Sequence, residues 1–599
     1  MHESLIADPD AHEYPRPLLQ RSEWTRLNGR WEFAVDADAR YRRSADVPWN
    51  GTDITVPFAP ETSASGRNEA GFFDAVWYRR SFPAPTMQSG ERLFLHFGAV
   101  DYHATVWVNG AQIGCHEGGY LPFSFDVTDA LVGAEAGAVM QEVVVCAHDD
   151  PHDVAKPRGK QDWQKDPHSI WYPRTTGIWQ TVWLEVVPAS YIGTLKWTSS
   201  LERWEIGVHM HIHGVRRDHL RVRVKLTANG TLLADDTYAV VSGEVNRRIA
   251  LSDPGVDDYR NELLWSPARP TIINAEIELW AGRGELVDAA RSYTALRQVG
   301  TQGDQFILNG RPFPLRMVLD QGYWEHTGLT APSDAALRRD VELAKAMGFN
   351  GVRKHQKIED PRYLYWADHL GLLVWSEMPS AYRFTAESVR RLTRQWPDAV
   401  MRDISHPCVV AWVPFNESWG VPDLPTMPEQ RHCVQALYHL TRTLDPSRPV
   451  IGNDGWESVA TDIIAIHDYD EDPARIARRY HSDSELPSIL EKERPGGRRL
   501  VIAGHAEKTT VPVMLTEFGG IALHIEGSST WGYSRSATAD ELLVRYAALL
   551  ESVRSISLFA GFCYTQFTDT YQEANGLLTM AREPKMPLAA VRAATSGSR

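Results

Sequence analysis

The spacing of apolar residues divides the chain into three zones. In residues 1–188, short runs alternate between apolar and polar positions, as in Arg92-Leu93-Phe94-Leu95-His96-Phe97, Ala104-Thr105-Val106-Trp107-Val108 and Thr181-Val182-Trp183-Leu184-Glu185. A period of two places successive side chains on opposite faces of a strand. Asn109-Gly110 follows one such run and predicts a tight hairpin, because the favoured two-residue turn needs positive φ at both positions. This zone predicts an all-β sandwich. Residues 189–296 keep the same texture in VHMHIHG, HLRVRVKLTANG and INAEIELWAGRG, and their length fits a seven-stranded immunoglobulin-like sandwich. His209, His211 and His213 share one strand face there. No carboxylate or cysteine cluster accompanies them in sequence, so a solvated sheet face is predicted rather than a metal site.

The pattern changes near Thr301. In residues 297–599, short apolar strands alternate with stretches of helical period. The strand candidates are 314–319, 350–354, 372–376, 410–415, 449–453, 463–467, 511–516 and 557–565. Helical stretches separate most of them, such as Asp334 to Met347 with Ser333 as N-cap, while the fifth-to-sixth connection is short. Eight strand–helix units in about 300 residues predict a (β/α)₈ barrel. A doubly wound sheet is the rival fold, but no GxGxxG or GxxxxGK[ST] accompanies it.

Composition then narrows the function. With 62 Lys plus Arg against 77 Asp plus Glu, the net charge is −15, and no basic block offsets it. Nucleic acid and anionic membranes are therefore not expected partners. Five scattered cysteines without a CxxC predict a reducing compartment. The polar N-terminus lacks a signal-peptide pattern and no apolar run reaches ~18 residues, so a cytoplasmic location without a membrane span is expected. The 21 tryptophans stand out, and flat indole faces suit sugar rings.

Barrel active sites lie at the C-terminal ends of the strands, which makes position a filter. The polar residues there are Asp320; Arg353, Lys354 and His355; Glu377; Asn416 and Glu417; Asn453, Asp454 and Trp456; His467, Asp468 and Tyr469; Glu517; and Gln566 and Asp569. Glu417 and Glu517 end apolar strands on nearly opposite sides of the barrel and would point into one cleft. Glycoside hydrolysis uses two such carboxyl groups, one to protonate the leaving oxygen and one to attack the anomeric carbon or activate water. A glutamate at a strand end is also an ordinary helix-start residue, favoured by the dipole. Two of them, one beside Asn416, favour the catalytic reading. Trp324, Trp456 and Trp531 fall on loops of the same face, where stacking on a sugar competes with a plain core role.

At these residues a family resemblance enters. Trp412-Val413-Pro414-Phe415-Asn416-Glu417-Ser418 resembles the acid/base segment of family 2 glycoside hydrolases, and Met514-Leu515-Thr516-Glu517-Phe518-Gly519-Gly520 resembles their nucleophile segment. Leu27-Asn28-Gly29-Arg30-Trp31, Trp77-Tyr78-Arg79-Arg80, Val106-Trp107-Val108-Asn109-Gly110 and Thr176-Gly177-Ile178-Trp179-Gln180 resemble the family's jelly-roll domain, and Phe306-Ile307-Leu308-Asn309-Gly310-Arg311-Pro312 resembles the segment that opens its barrel. The resemblance implies three domains, with Glu417 as acid/base, Glu517 as nucleophile and retention of configuration. It implies Asn416 on the sugar 2-hydroxyl, Tyr469 and Arg353 on the nucleophile, and a Glu417 pKa raised by burial and by the neighbouring carboxylate. His355, Asp320, His467, Trp456, Trp531 and Gln566 complete the expected sugar-binding set.

Three departures bear on the glycone. After the second barrel strand stands Arg353-Lys354-His355-Gln356-Lys357 where the family has Arg-x-Ser-His-Tyr-Pro, and Lys354 and Lys357 are expected to be solvated. After the last strand stands Tyr564-Thr565-Gln566-Phe567, without the tryptophan of many members. Glu573-Ala574-Asn575-Gly576 lacks the lysine of the glucuronidases' Asn-x-Lys carboxylate clamp. The reading is therefore a retaining exo-acting hydrolase of glycosides or oligosaccharides with a neutral, β-galactosidase-like glycone and neither metal nor cofactor. A furanosidase of the same family, acting on β-D-galactofuranosides or α-L-arabinofuranosides, is the alternative. A non-catalytic carbohydrate-binding protein is the rival from another class, disfavoured because such a relative would usually lose one of the two glutamates. No GxSxG or HExxH supports a serine or metal hydrolase. Homo-oligomerisation stays open.

Overall fold

The computed structural model describes residues 5–133, 139–282, 284–481, 500, 511–523 and 530–597. In the N-terminal region, a six-stranded sheet runs in the order Asp53–Val56, Gly29–Asp36, Ala75–Pro83, Met140–His148, His103–Val108, Ala111–Glu117. It accompanies a four-stranded sheet of Trp24–Arg26, Val182–Val187, Arg92–Phe97 and Phe123–Asp126. The alternation seen in sequence fills the space between them: Trp31, Phe33, Val143 and Val145 join one apolar cluster with Leu93, Leu95, Val182 and Leu184. The predicted hairpin is present, with Val108 paired to Ala111 and both Asn109 (φ 49°) and Gly110 (φ 80°) left-handed.

The second sandwich has seven strands. Ser190–Ser200, Glu205–Gly214 and Glu244–Ala250 form one sheet, and Thr231–Ala239, Arg221–Ala228, Ile273–Ala281 and Glu285–Thr294 the other. The histidine face departs from expectation. Strand pairing brings Glu244 opposite His211, and its carboxylate lies 3.8 Å from His209 Nε2 and 3.6 Å from His211 Nδ1. A carboxylate thus does accompany the histidines, from a neighbouring strand that sequence spacing could not reveal. The face itself is part-exposed, as expected, with Glu244 half-exposed, and it borders a cavity of ≈ 760 Å³ between the domains.

The C-terminal region is a barrel of parallel strands, ordered Val409–Val413, Leu373–Glu377, Gly351–Lys354, Leu315–Asp320, Phe559–Tyr564, Val513–Glu517, Ile464–His467. Seven of the eight predicted strands are there. The fifth, at 449–453, contributes only isolated bridges: Val450 to Trp412 on one side, and Ile451 to Thr461 on the other. Pro449 has no N–H to donate, Gly452 packs against the Ala460 carbonyl, and no helix separates this segment from the next strand, so a regular ladder cannot extend. The helix at Asp334–Ala346 begins as predicted, with the Ser333 side chain accepting from the Ala336 N–H. Among the described residues, no helix is long and apolar enough to cross a membrane, and all five cysteines are free.

One long loop matters for the site. Between the sandwich strands Met140–His148 and Gly177–Ile178, residues 149–176 leave the sheet and lie on the barrel mouth. The Ser380 carbonyl accepts from the Arg158 and Gly159 N–H groups at 3.0 and 3.1 Å, and Tyr382 Oη donates to the Gly159 carbonyl at 2.7 Å. Gly159 has φ +61°, and a Cβ there would sit 2.3 Å from the Gln356 carbonyl oxygen, so only glycine permits this approach. Tyr172, further along the loop, joins the barrel's apolar cluster together with Tyr120 and Trp179 of the sandwich.

Candidate active site

Glu417 and Glu517 both reach the C-terminal mouth of the barrel. Glu517 is the last residue of its strand and is buried. Glu417 lies four residues beyond Val413, in a turn where Glu417 (φ 50°) and Ser418 (φ 55°) are both left-handed. Two bonds hold this strained turn: Glu417 N–H to the Asp454 carbonyl at 2.9 Å and Ser418 N–H to Asn453 Oδ1 at 2.9 Å. The broken fifth strand therefore has a role: its loop supplies the partners that aim Glu417.

Arg353 is the hub. Fully buried, it ion-pairs through Nη2 with Glu517 Oε1 at 3.0 Å and donates from Nη2 to Asn416 Oδ1 at 2.5 Å and from Nη1 to the Thr516 carbonyl at 3.1 Å. Its Nε donates to Glu377. Tyr469 Oη donates to the other Glu517 oxygen at 2.6 Å, and burial together with Glu517 keeps its phenol protonated. The fork geometry of the guanidinium lets one side chain fix four acceptors at once.

His467 bridges the two carboxylates. Its Nδ1 lies 2.8 Å from Glu417 Oε1, and its Nε2 lies 2.9 Å from Asp454 Oδ1 and 3.4 Å from Glu517 Oε1. Burial opposes the charge, yet Glu517, Asp454 and Glu417 together push its pKa up to about 10. This imidazolium corrects the expectation for Glu417. Burial pushes the Glu417 carboxyl up, but the bond and charge of His467, the charge of Lys160 and the Trp419 indole N–H (3.2 Å) outweigh it and hold the pKa below the usual glutamate value. Asp454 is likewise pulled down to about 2, by Arg353, His467 and Thr516 against burial. His355 accompanies the cluster through Nδ1, 2.9 Å from Glu377 Oε2, and burial keeps it neutral.

The raised pKa of His467 gives a test. Its folded value of about 10 exceeds the ordinary 6.5, so its stabilising contribution is complete below about pH 6.5, falls between there and about pH 10, and is gone above. We expect the Tm of H467Q to fall less steeply than the wild-type Tm across that window, measured by calorimetry. Parallel Tm profiles would show that the imidazole is neutral in the folded protein.

Other expected residues are placed differently. Asp320 is buried, with Lys354 Nζ at 2.6 Å and the Gly322 N–H at 2.9 Å as its partners. Lys354 and Lys357 are buried, not solvated: Glu359 pairs with both, and Lys357 also donates to the Gly322 and Leu329 carbonyls. The loop after the first strand covers them, which adjacent sequence could not show. Gln566 is fully buried, accepting from Gln321 Nε2 at 2.9 Å and donating to Asn575 Oδ1 at 2.6 Å. Trp324 is core, with Arg582 over its ring. Trp531 donates its indole N–H to the Ser169 carbonyl and so ties down the 149–176 loop. Trp456 is half-buried beside Trp419, 5.8 Å between ring centroids.

The structure also adds residues. Trp163 and Trp171 of the loop join Tyr382 and Trp419 in an aromatic wall. Glu573 accepts from Tyr172 Oη at 2.5 Å and from Asn575 Nδ2 at 3.0 Å. The available signal was length: loops beyond ~12–15 residues in a compact domain are usually functional.

Comparison with known proteins agrees with this geometry. Residues 299–596 match the model "Glycosyl hydrolases family 2, TIM barrel domain", and residues 67–177 match "Glycosyl hydrolase 2 galactose-binding domain-like". The chain belongs to glycoside hydrolase family 2. A family 2 O-glycosidase of this kind hydrolyses glycosides. The chain is 24% identical over 619 residues to the beta-glucuronidase of Paenibacillus borealis, covering 96% of both chains. It is 26% identical over 388 residues to the beta-galactosidase of Thermoanaerobacter pseudethanolicus, covering 63% of this chain and 48% of that protein. Among solved structures, the beta-glucuronidase of Bifidobacterium dentium superposes with a TM-score of 0.77 at 22% identity, covering 96% of this chain and 98% of the other.

Proposed function

We propose that this glycosidase removes a terminal neutral sugar with retention of configuration, dividing at residues 188 and 296 into two sandwiches and a catalytic barrel. One observation carries the retaining reading: Glu417, His467 and Glu517 each place one side-chain donor or acceptor atom within 4.8 Å of the others. That supports the ~5–5.5 Å carboxyl separation of retaining enzymes over the ~6.5–9.5 Å of inverting ones. Glu517 attacks the anomeric carbon, steadied by Arg353 and Tyr469. Glu417 delivers a proton to the departing oxygen and later takes one from water. In the free site that proton resides on His467, whose Nδ1 contacts Glu417 Oε1; its transfer leaves a neutral imidazole and a neutral acid. Asn416, with Oδ1 taken by Arg353, offers Nδ2–H to the 2-hydroxyl.

A neutral glycone is supported by charge. Five carboxyl groups gather at the cleft (Glu377, Glu417, Asp454, Glu517, Glu573) against Arg353, His467 and Lys160, and burial pushes those of Glu377 and Glu573 up toward the neutral form, so acids rather than surplus cations meet the sugar. The second reading is a uronide, favoured by the beta-glucuronidases among the relatives and by a beta-galacturonidase of Eisenbergiella tayi at TM-score 0.72. A nitrophenyl glycoside panel of pyranosides, furanosides and uronides separates these, with NMR of the first-formed anomer reporting stereochemistry. A neutral glycoside should be turned over best and its anomeric configuration kept; an inverted first product overturns the retaining mechanism, and preference for a uronide overturns the neutral glycone.

A further inference from the structure

The long loop brings a cation to the catalytic cleft. Lys160 follows Gly159 directly, is only 7% exposed, and its charge acts on Glu417, His355 and Glu573, three residues around the barrel mouth. Among the described residues, no hydrogen bond or ion pair engages its ammonium, whereas the buried lysines Lys354 and Lys357 are both paired. The ammonium itself is not sealed from solvent, so a ligand entering the cleft can reach it. Glu573 stands near it as an acceptor. Tyr172 and Asn575 each donate to one Glu573 oxygen, and each oxygen keeps a second lone pair. Gln321 and Gln566 support Asn575 from behind, so the carboxyl is held in place.

We propose that Lys160 and Glu573 form the glycone-reading end of the cleft, Lys160 donating to one sugar hydroxyl and Glu573 accepting from it or its neighbour. This deepens the neutral-sugar reading and rests on it. A vicinal hydroxyl pair offers one acceptor and one donor and matches the two groups together. A sugar carboxylate would match Lys160 but face Glu573. The N-terminal sandwich thus contributes a specificity-determining residue to a site whose two glutamates lie on the barrel.

The test uses the full chain and needs no turnover. Binding of galactose, glucose, arabinose and their glyconolactones, with glucuronate and galacturonate as the anionic arm, is measured by titration calorimetry on wild type, K160M, K160R and E573Q. The best neutral ligand should bind K160M about 30-fold more weakly, the size of a lost charged hydrogen bond. K160R should recover part of the loss. Deoxy analogues locate the contact: the one lacking the Lys160-bound hydroxyl should bind wild type and K160M alike, a coupling that a merely structural lysine would not produce. Equal affinities for K160M and wild type overturn the proposal, as does tighter wild-type binding of a uronate than of any neutral sugar. If wild type binds a neutral sugar through Lys160 but cleaves no glycoside, the hydrolase reading fails and the binding inference stands.

Discussion

Glu517→Gln should lower kcat by about 10⁴-fold or more on any glycoside the wild type cleaves, because an amide cannot form the glycosyl ester. The fold should survive. Gln keeps the side-chain volume, and its carbonyl can still accept from Tyr469, which donates to Glu517 Oε2 at 2.6 Å. What changes is charge: Arg353 loses one of its anions but keeps Glu377 and Asp454. Far-UV circular dichroism and Tm should therefore stay near wild type while turnover disappears. Retention of near-normal rates by a well-folded E517Q would remove Glu517 from the reaction.

The second large effect belongs to Glu417→Ala. General acid–base groups are worth about 10²–10⁴ in rate, but the loss should depend on the leaving group. Departure of a poor leaving group needs the proton, so alkyl glycosides should suffer most. A dinitrophenolate departs unaided, so its glycoside should still load Glu517 and stall at hydrolysis, where the base is missing. Removing Glu417 also removes the negative charge beside His467, which faces it at 2.8 Å. A small anion should then enter the gap, and azide should accelerate turnover of the activated substrate and be captured as a β-glycosyl azide if the natural bond is β. An α-azide from a β-substrate is incompatible with double displacement through Glu517.

Much of this was legible in the chain. Strand period and the Asn109-Gly110 turn predict the first sandwich, and the alternation of strands and helices predicts the barrel. Glu417, Glu517, Asn416, Arg353 and Tyr469 converge because each lies in or within four residues of the C-terminal end of a barrel strand, where the fold gathers side chains at one mouth. What was not legible came from partners remote in sequence. Asp320 is held by Lys354, and Gln566 by Gln321 and Asn575, partners that position at a strand end does not disclose. The lowered Glu417 pKa is not legible in sequence because the effect of His467 depends on which groups surround it, and three carboxylates make it a cation. The fifth strand failed because Pro449 and Gly452 leave only two apolar residues to pair.

The 149–176 loop turns the seam between sandwich and barrel into a working part of the enzyme. Ser380 and Tyr382 hold the loop from the barrel side, and Trp531 holds it at Ser169. A lesion that loosens this docking need touch neither glutamate nor unfold any core. It would present as a kinetic defect in an otherwise healthy barrel, and a barrel cut free of its sandwich would keep its two carboxylates in an unwalled, water-filled trough.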